Sequence, residues 1–408
     1  MSIEGTRSEI SLKNALEDYW SRVRSGDIGS LPAVLGLLVL CIVFGAMSDV
    51  FLSAGNFANL LTQAAAVTVI AMGLVFVLLL GEIDLSAGFA SGVCGAVLVI
   101  MITNHGIPWP IALLASIAVG AILGFTIGTL VARLGIPSFV VTLAAFLGFQ
   151  GLLLLLAGEG GTIRLEDRTI LAVENNNLSP AISWIFYLVV GILYTLSGLF
   201  RINSRRKAGL KSELFILWVL KTGGLLAITG AAVYALNLER SNNPQLVSLK
   251  GIPVVVPLIL ALLIIGTFVL TRTVFGRHIY AVGGNAEAAR RAGINVKRVR
   301  IWAFVICSSL AAVAGMLFAS RQNSISPTTG GSSTLLYAVG AAVIGGTSLF
   351  GGKGRMRDAI LGGFVVAVID NGMGLLGYAA GIKYIVTGVV LLISAGVDAV
   401  SRRGSTSH

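Results

Sequence analysis

Charge is scarce in this sequence. Asp, Glu, Lys and Arg make up only 12% of its 408 residues, about half the share with which a water-soluble domain coats itself, so a large soluble globule is excluded. Cysteine is scarce too. Cys41, Cys94 and Cys307 all lie inside apolar stretches with no CxxC pair, which excludes a disulfide framework and reads them as small buried hydrophobes. His105 and His278 stand isolated, without metal-ligand spacing. No phosphate loop, zinc motif or nucleophile–base pairing is present, so the chain is expected not to be an enzyme and to hold no cofactor or metal itself. The first 30 residues intersperse acidic and basic side chains and have no apolar core before Leu31, which is not the pattern of a cleavable signal. Short apolar–polar alternation is also missing, which argues against a β-barrel.

What the sequence has is apolar length. Hydrophobic residues make up 56% of it, and a helix needs about 20 of them to cross about 30 Å of hydrocarbon. The pattern predicts an all-α polytopic membrane protein with about twelve membrane segments (ten to twelve), some short, broken or re-entrant. The expected spans are 31–47, 62–80, 87–102, 111–132, 138–157, 183–200, 214–236, 252–270, 301–319, 335–350, 359–373 and 383–398. They form one transmembrane domain, 31–398. Ahead of it, Leu12, Ala15, Leu16, Tyr19, Trp20 and Val23 share a helical face, as an interfacial helix lying on the lipid bilayer would arrange them within a cytoplasmic segment 1–30.

The net charge of +11 does not point to nucleic acid, because the basic residues sit in every second gap between spans. With both termini cytoplasmic, 22 of the 29 Lys and Arg lie inside and five outside, with Lys221 inside a span and Lys383 at the outer edge of one. Positive charge retained on the cytoplasmic side predicts this asymmetry, and a frame shifted by one span would reverse it. The cytoplasmic parts then include a long basic loop at 271–300 and a tail at 399–408.

Three places carry candidate function. In Gly81–Ser86, Glu82 and Asp84 follow a long apolar run. Carboxylates so near hydrocarbon must reach water, pair with a base or cap a helix, and Asp84 or Ser86 is placed to cap one starting near Ala87. Within the basic loop, Asn285 can cap a short helix with Glu287 in its first turn, Arg290 and Arg291 at its end and Gly293 as its stop. Such a helix is not stable alone and needs a docking surface; Ala288 and Ala289 give it a small-residue cover. The third place is Arg321–Ser333, whose uncharged polar residues, Asn323 among them, suit the passage of a neutral hydroxylated solute as well as an ordinary loop. Paired glycines around Gly346 and Thr347 suggest a helix break, tolerated at membrane depth only against protein or water. Gly120, Gly124 and Gly128 are spaced for close helix packing.

Taken together, Gly81–Gly88 and Gly284–Ile294 make the chain resemble the membrane permeases of bacterial ATP-binding-cassette importers for sugars, the ribose, xylose and galactose branch. The resemblance covers about Leu31–Val397. Many members have Gly where this chain has Glu82 and Val where it has Ala87, so the extra carboxylate is a departure. The resemblance implies ATPase docking through Asn285, Glu287, Ala288, Ala289, Arg290, Arg291 and Gly293; the translocation or helix-break candidates, Glu82, Asp84, Ser86, Asn323, Gly346 and Thr347, rest on the residue readings above, and the Glu82 departure weakens what the resemblance says of that turn. It implies a bacterial inner-membrane location and three partners: a second permease copy, a cytoplasmic ATP-binding subunit carrying the ATP and Mg²⁺, and a periplasmic sugar-binding protein. The extra length around 158–250 is similar to xylose-type permeases, which makes D-xylose the leading substrate, moved by alternating access. The residues alone also admit a secondary transporter coupled to H⁺ or Na⁺ through Glu82, Asp84 or Asp370, or a membrane scaffold subunit.

Overall fold

The computed structural model describes residues 30–158, 161–209, 214–241 and 243–405; the interfacial helix expected around Leu12–Val23 lies outside them. Twelve apolar helices occupy the positions of the twelve expected spans among the described residues. Eight are long and apolar enough to cross a bilayer: α2 (Ala54–Leu78), α4 (Trp109–Leu134), α5 (Ser138–Ala157), α7 (Pro180–Lys207), α8 (Phe215–Asn237), α9 (Val255–Arg272), α12 (Val296–Gln322) and α14 (Met356–Leu375). Four are shorter: α1 (Leu31–Met47), α3 (Ala87–Thr103), α13 (Ser332–Gly345) and α15 (Ala380–Ser405), whose apolar part ends at Gly396. Three further helices lie between spans: α6 (Arg168–Asn175), α10 (Val274–Gly284) and α11 (Ala286–Arg291). Among the described residues the fold is all-α but for one two-residue ribbon, β1 (Ile163–Arg164) antiparallel to β2 (Ser324–Ile325). The tail drawn from residue 399 is helical as far as Ser405.

The helices fall into two compact units. One holds residues 178–252. Its helices α7 and α8 pack through Gly198, where a Cβ would stand 2.4 Å from the Trp218 ring nitrogen, and Tyr187 donates to the Leu226 carbonyl at 2.7 Å. Beyond α8, the Glu239 carboxylate gathers the Leu249 amide, the Ser248 hydroxyl and the Ser241 amide. Those hydrogen bonds hold it down to about 2.

The other unit, 29–177 with 253–398, is built around α12. Gly120, Gly124 and Gly128 line the α4 face toward it, and a Cβ at these positions would stand 2.5, 2.3 and 2.8 Å from α12 backbone atoms. The predicted close packing is therefore backbone against backbone. In lipid no hydrophobic force drives helices together, so such contact supplies the attraction. Gly73 of α2 approaches the Cys307 backbone, and Gly315 approaches Ser91 and Gly95 of α3, in the same way. Cys94 and Cys307 are buried in this packing, as expected of small apolar side chains.

Candidate functional site

The segment expected to dock folds as its residues dictate. Asn285 is extended and its side chain accepts from the Ala288 amide at 2.9 Å, satisfying one of the orphan donors of α11. Glu287 pairs with Arg290 at 2.8 Å and Arg291 at 3.2 Å. Hydrogen bonds from Arg290 and then Arg291 hold its carboxyl below the usual range. Gly293 ends the helix with φ +85°, the left-handed region that favours glycine. Ala289 is buried, while both arginines remain largely exposed.

This helix is tied to two breaks in the spanning helices. The first follows α2, where Gly81 turns the chain at φ +73°. The second follows α13: the span drawn as 335–350 stops at Gly345, because Gly346 adopts φ +119° and Gly351 and Gly352 are left-handed as well. Thr347 is buried in that second break. The two meet where the Gly352 amide donates to the Leu79 carbonyl at 2.9 Å. Gly283, two residues ahead of the docking cap, lies against the same point, where a Cβ would stand 1.8 Å from the Leu79 oxygen. Tyr280 donates its hydroxyl to the Gly354 carbonyl at 2.8 Å. Of the three outcomes open to a carboxylate in its position, Glu82 pairs with a base: its Oε1 is 3.1 Å from Arg300 Nε, without an aligned hydrogen bond.

Asp84 turns back on Ser86, the residue at the N-cap of α3. Its Oδ1 accepts from the Ser86 amide at 2.9 Å and the Ser86 hydroxyl at 2.6 Å, and both side chains are fully buried. The Ser86 side chain makes no cap of its own. Depth follows from α12 at 1.5 Å per residue. Cys307, which Asp84 reaches, is about 10 Å in from Arg300, and Gly315, which meets Ser91 and Gly95, is about 22 Å in. α3 therefore starts about 10 Å along α12 from Arg300 rather than level with it.

The polar stretch Arg321–Ser333 divides. Asn323 stays at the outer end, left-handed at φ +54°, its carbonyl accepting from Leu165 at 2.9 Å. Thr329–Gly331 instead runs inward against α3, where Cβ atoms on Gly92 and Gly88 would stand 2.4 and 2.5 Å from the Thr329 and Gly330 oxygens. α13 thus also starts at depth. Its 14 residues span about 21 Å, short of the hydrocarbon thickness. The site residues therefore separate. Glu82, Gly346 and Thr347 meet the docking segment, Asp84 and Ser86 lie deeper, and Asn323 is at the opposite end.

One polar group was not assembled by reading the sequence. Gln63 of α2 donates to Asp370 of α14 at 2.6 Å, and Asp370 pairs with Lys383 of α15 at 3.3 Å. Asn56 and Asn371 exchange side-chain amide bonds beside them, at 2.9 Å each way. The available signal was that Asp370 and Lys383 are opposite charges within or at the edge of apolar runs. Among the described residues no three His, Cys, Asp or Glu side chains group as a metal site.

The family described as branched-chain amino acid transport system / permease component matches residues 56–395. The sequence is 34% identical to the xylose transport system permease protein of Escherichia coli strain K12 over 400 residues, 98% of each chain. It is 34% identical to the protein of that name from Haemophilus influenzae over 383 residues, 94% of this chain and 99% of the relative. With the ribose import permease protein of E. coli K12 it shares 29% identity over 366 residues, 90% and 92% of the two chains. No solved structure matches.

Proposed function

The chain belongs to the family of branched-chain amino acid transport system permease components, and from that premise we propose that it is the membrane subunit of an ATP-driven importer moving a pentose, D-xylose first, inward by alternating access. A permease component is a transport subunit rather than an enzyme, and this one is a multi-pass protein of the bacterial inner membrane. The relatives named for xylose match it end to end, including the 178–252 unit that adds to its length. That correspondence supports xylose over an amino acid.

The observation that carries the mechanism is the joining of a capped, exposed docking helix to two helix breaks through Gly283. An ATPase seated on Asn285, Glu287, Ala288, Ala289, Arg290, Arg291 and Gly293 would move α10 when it closes. Backbone in contact with backbone at Gly283 cannot absorb that movement by changing rotamers, so both breaks would move with it. A second permease copy and a periplasmic sugar-binding protein complete the assembly in this reading. The sugar crosses unchanged, and ATP supplies the energy on the partner.

The test is purification from the native membrane, with Glu287 and Arg291 reversed in charge in a second preparation. The expected result is an ATPase that copurifies with the wild type and is lost from a folded, membrane-inserted variant. A permease that comes out alone and moves xylose in liposomes under an ion gradient overturns the proposal.

A further inference from the structure

Asp370 and Lys383 form an ion pair at membrane depth. Asp370 lies twelve residues beyond Asp358, about 18 Å along α14 from the end that meets Arg355 and the second helix break. That places it in the outer half of a bilayer about 30 Å thick. The pair is not sealed in protein, since the Asp370 side chain is 32% and the Lys383 side chain 21% exposed. Charges exposed to lipid at this depth are costly, so the open side of the pair has to face water or the second permease copy, not lipid.

The surroundings have a consistent chemistry. Gln63 gives its amide NH₂ to Asp370 and its carbonyl to Asn371. Tyr337 of α13 and Tyr384 of α15 stand beside the pair, ring centroids 6.2 Å apart and tilted by 48°. Tyr384 is half exposed. The opposite charges cancel to no net charge, donors and acceptors are both on offer, and two ring faces border them. A cation or anion would meet an opposing charge here, whereas a neutral molecule with hydroxyls on one side and C–H groups on the other would not. The groups are also partnered with one another when no solute is present, so a solute's hydroxyls can replace those bonds and release them again at small net cost.

We propose that Gln63, Asp370, Lys383, Tyr337 and Tyr384 form a contact site for an uncharged monosaccharide in the outer half of the permeation path. This rests on the sugar-importer reading above. A pair that merely bolts α14 to α15 would affect every solute alike. A contact site distinguishes sugars that differ at one hydroxyl.

The experiment uses the whole importer, with its ATPase and binding protein, in proteoliposomes, and measures uptake of D-xylose and D-ribose from an equal mixture. Asp370→Asn keeps the size of the side chain. Tyr384→Phe removes only a hydroxyl from an exposed ring and leaves the packing intact. The expected result is a change of about fivefold or more in the xylose-to-ribose ratio in either variant, the effect of one lost hydrogen bond. A wild type that moves pentose while both variants keep its ratio overturns the site and leaves the importer standing. A wild type that moves neither pentose overturns both.

Discussion

Glu82 shows how a single side chain can be justified by its surroundings. A carboxylate at the end of a long apolar helix is costly unless it is paired. Arg300, at the start of α12, stands 3.1 Å away, with the two side chains 13% and 31% exposed. Their solvation is thus reduced without being lost, and removing one partner leaves the other charge poorly solvated, worth about 1–3 kcal/mol. Because Glu82 sits in the first break and Arg300 lies nine residues after the docking helix, the pair links the two. Reversing Glu82→Lys or Arg300→Glu singly is expected to cut coupled uptake about tenfold, and combining them to recover most of it. Uptake per inserted permease, measured for all four proteins, checks this. A double reversal no better than the worse single change would mean that the two charges do not act on each other.

At the scale of the element, α6 is anchored by contacts that no periodicity reveals. Asp167 caps it, accepting from the amides of Thr169 and Ile170 at 2.9 Å each. Its last turn docks on the outer end of α12, where the Glu174 amide donates to Ser320 and Asn175 donates to the Ser320 carbonyl. The Glu174 carboxyl is buried with neither oxygen bonded. Burial raises it to about 8 against the lowering effect of Arg321. In the unfolded chain it would titrate near 4.5. Between those values the docked helix keeps a proton that the undocked one has lost, so docking weakens as pH rises through the window. Hydrogen exchange of amides 168–175 is expected to quicken between about pH 5 and 8 beyond the intrinsic chemistry. Glu174→Gln, which imitates the protonated form, should remove that excess. An excess that persists in the glutamine variant would assign it to another group. Periodicity located the apolar helices because burial in lipid or protein selects side chains over whole turns. It did not locate α6, whose eight residues are too few for a repeating pattern and are held by one cap, a few polar bonds and the burial of Ile170. It also drew one span through Gly346, where a glycine's left-handed turn ends α13 within an apolar run.

At the scale of the molecule, the sequence gaps sort themselves into two ends of the larger unit. One end gathers the gaps that charge asymmetry assigns to the cytoplasm. There Ile83 donates to Ser138, Gly352 donates to Leu79, Glu82 pairs with Arg300 and Tyr280 reaches Gly354. The other end gathers the gaps assigned to the outside. Thr103 donates to the Arg164 carbonyl, β1 pairs with β2, and Asn175 reaches Ser320. Alternation of the gaps and the capped helix at Ala286–Arg291 were therefore legible in the residues, because charge and capping act locally. The partners of each site residue were not, because Gly283 against Leu79 or Gln63 against Asp370 joins residues some two hundred or three hundred positions apart. Charge placement alone fixes which end faces the cytoplasm, and that is open to direct measurement. With Cys41→Ser in place, the remaining Cys94 and Cys307 are buried beyond reach of a reagent. Single cysteines at His105 and Arg168 should then react with an impermeant thiol reagent added to intact cells, and cysteines at Arg133 and Arg291 only after the membrane is opened. Labelling of the second pair in intact cells would invert the protein. It would turn the docking helix away from ATP, and the importer mechanism would fall with it.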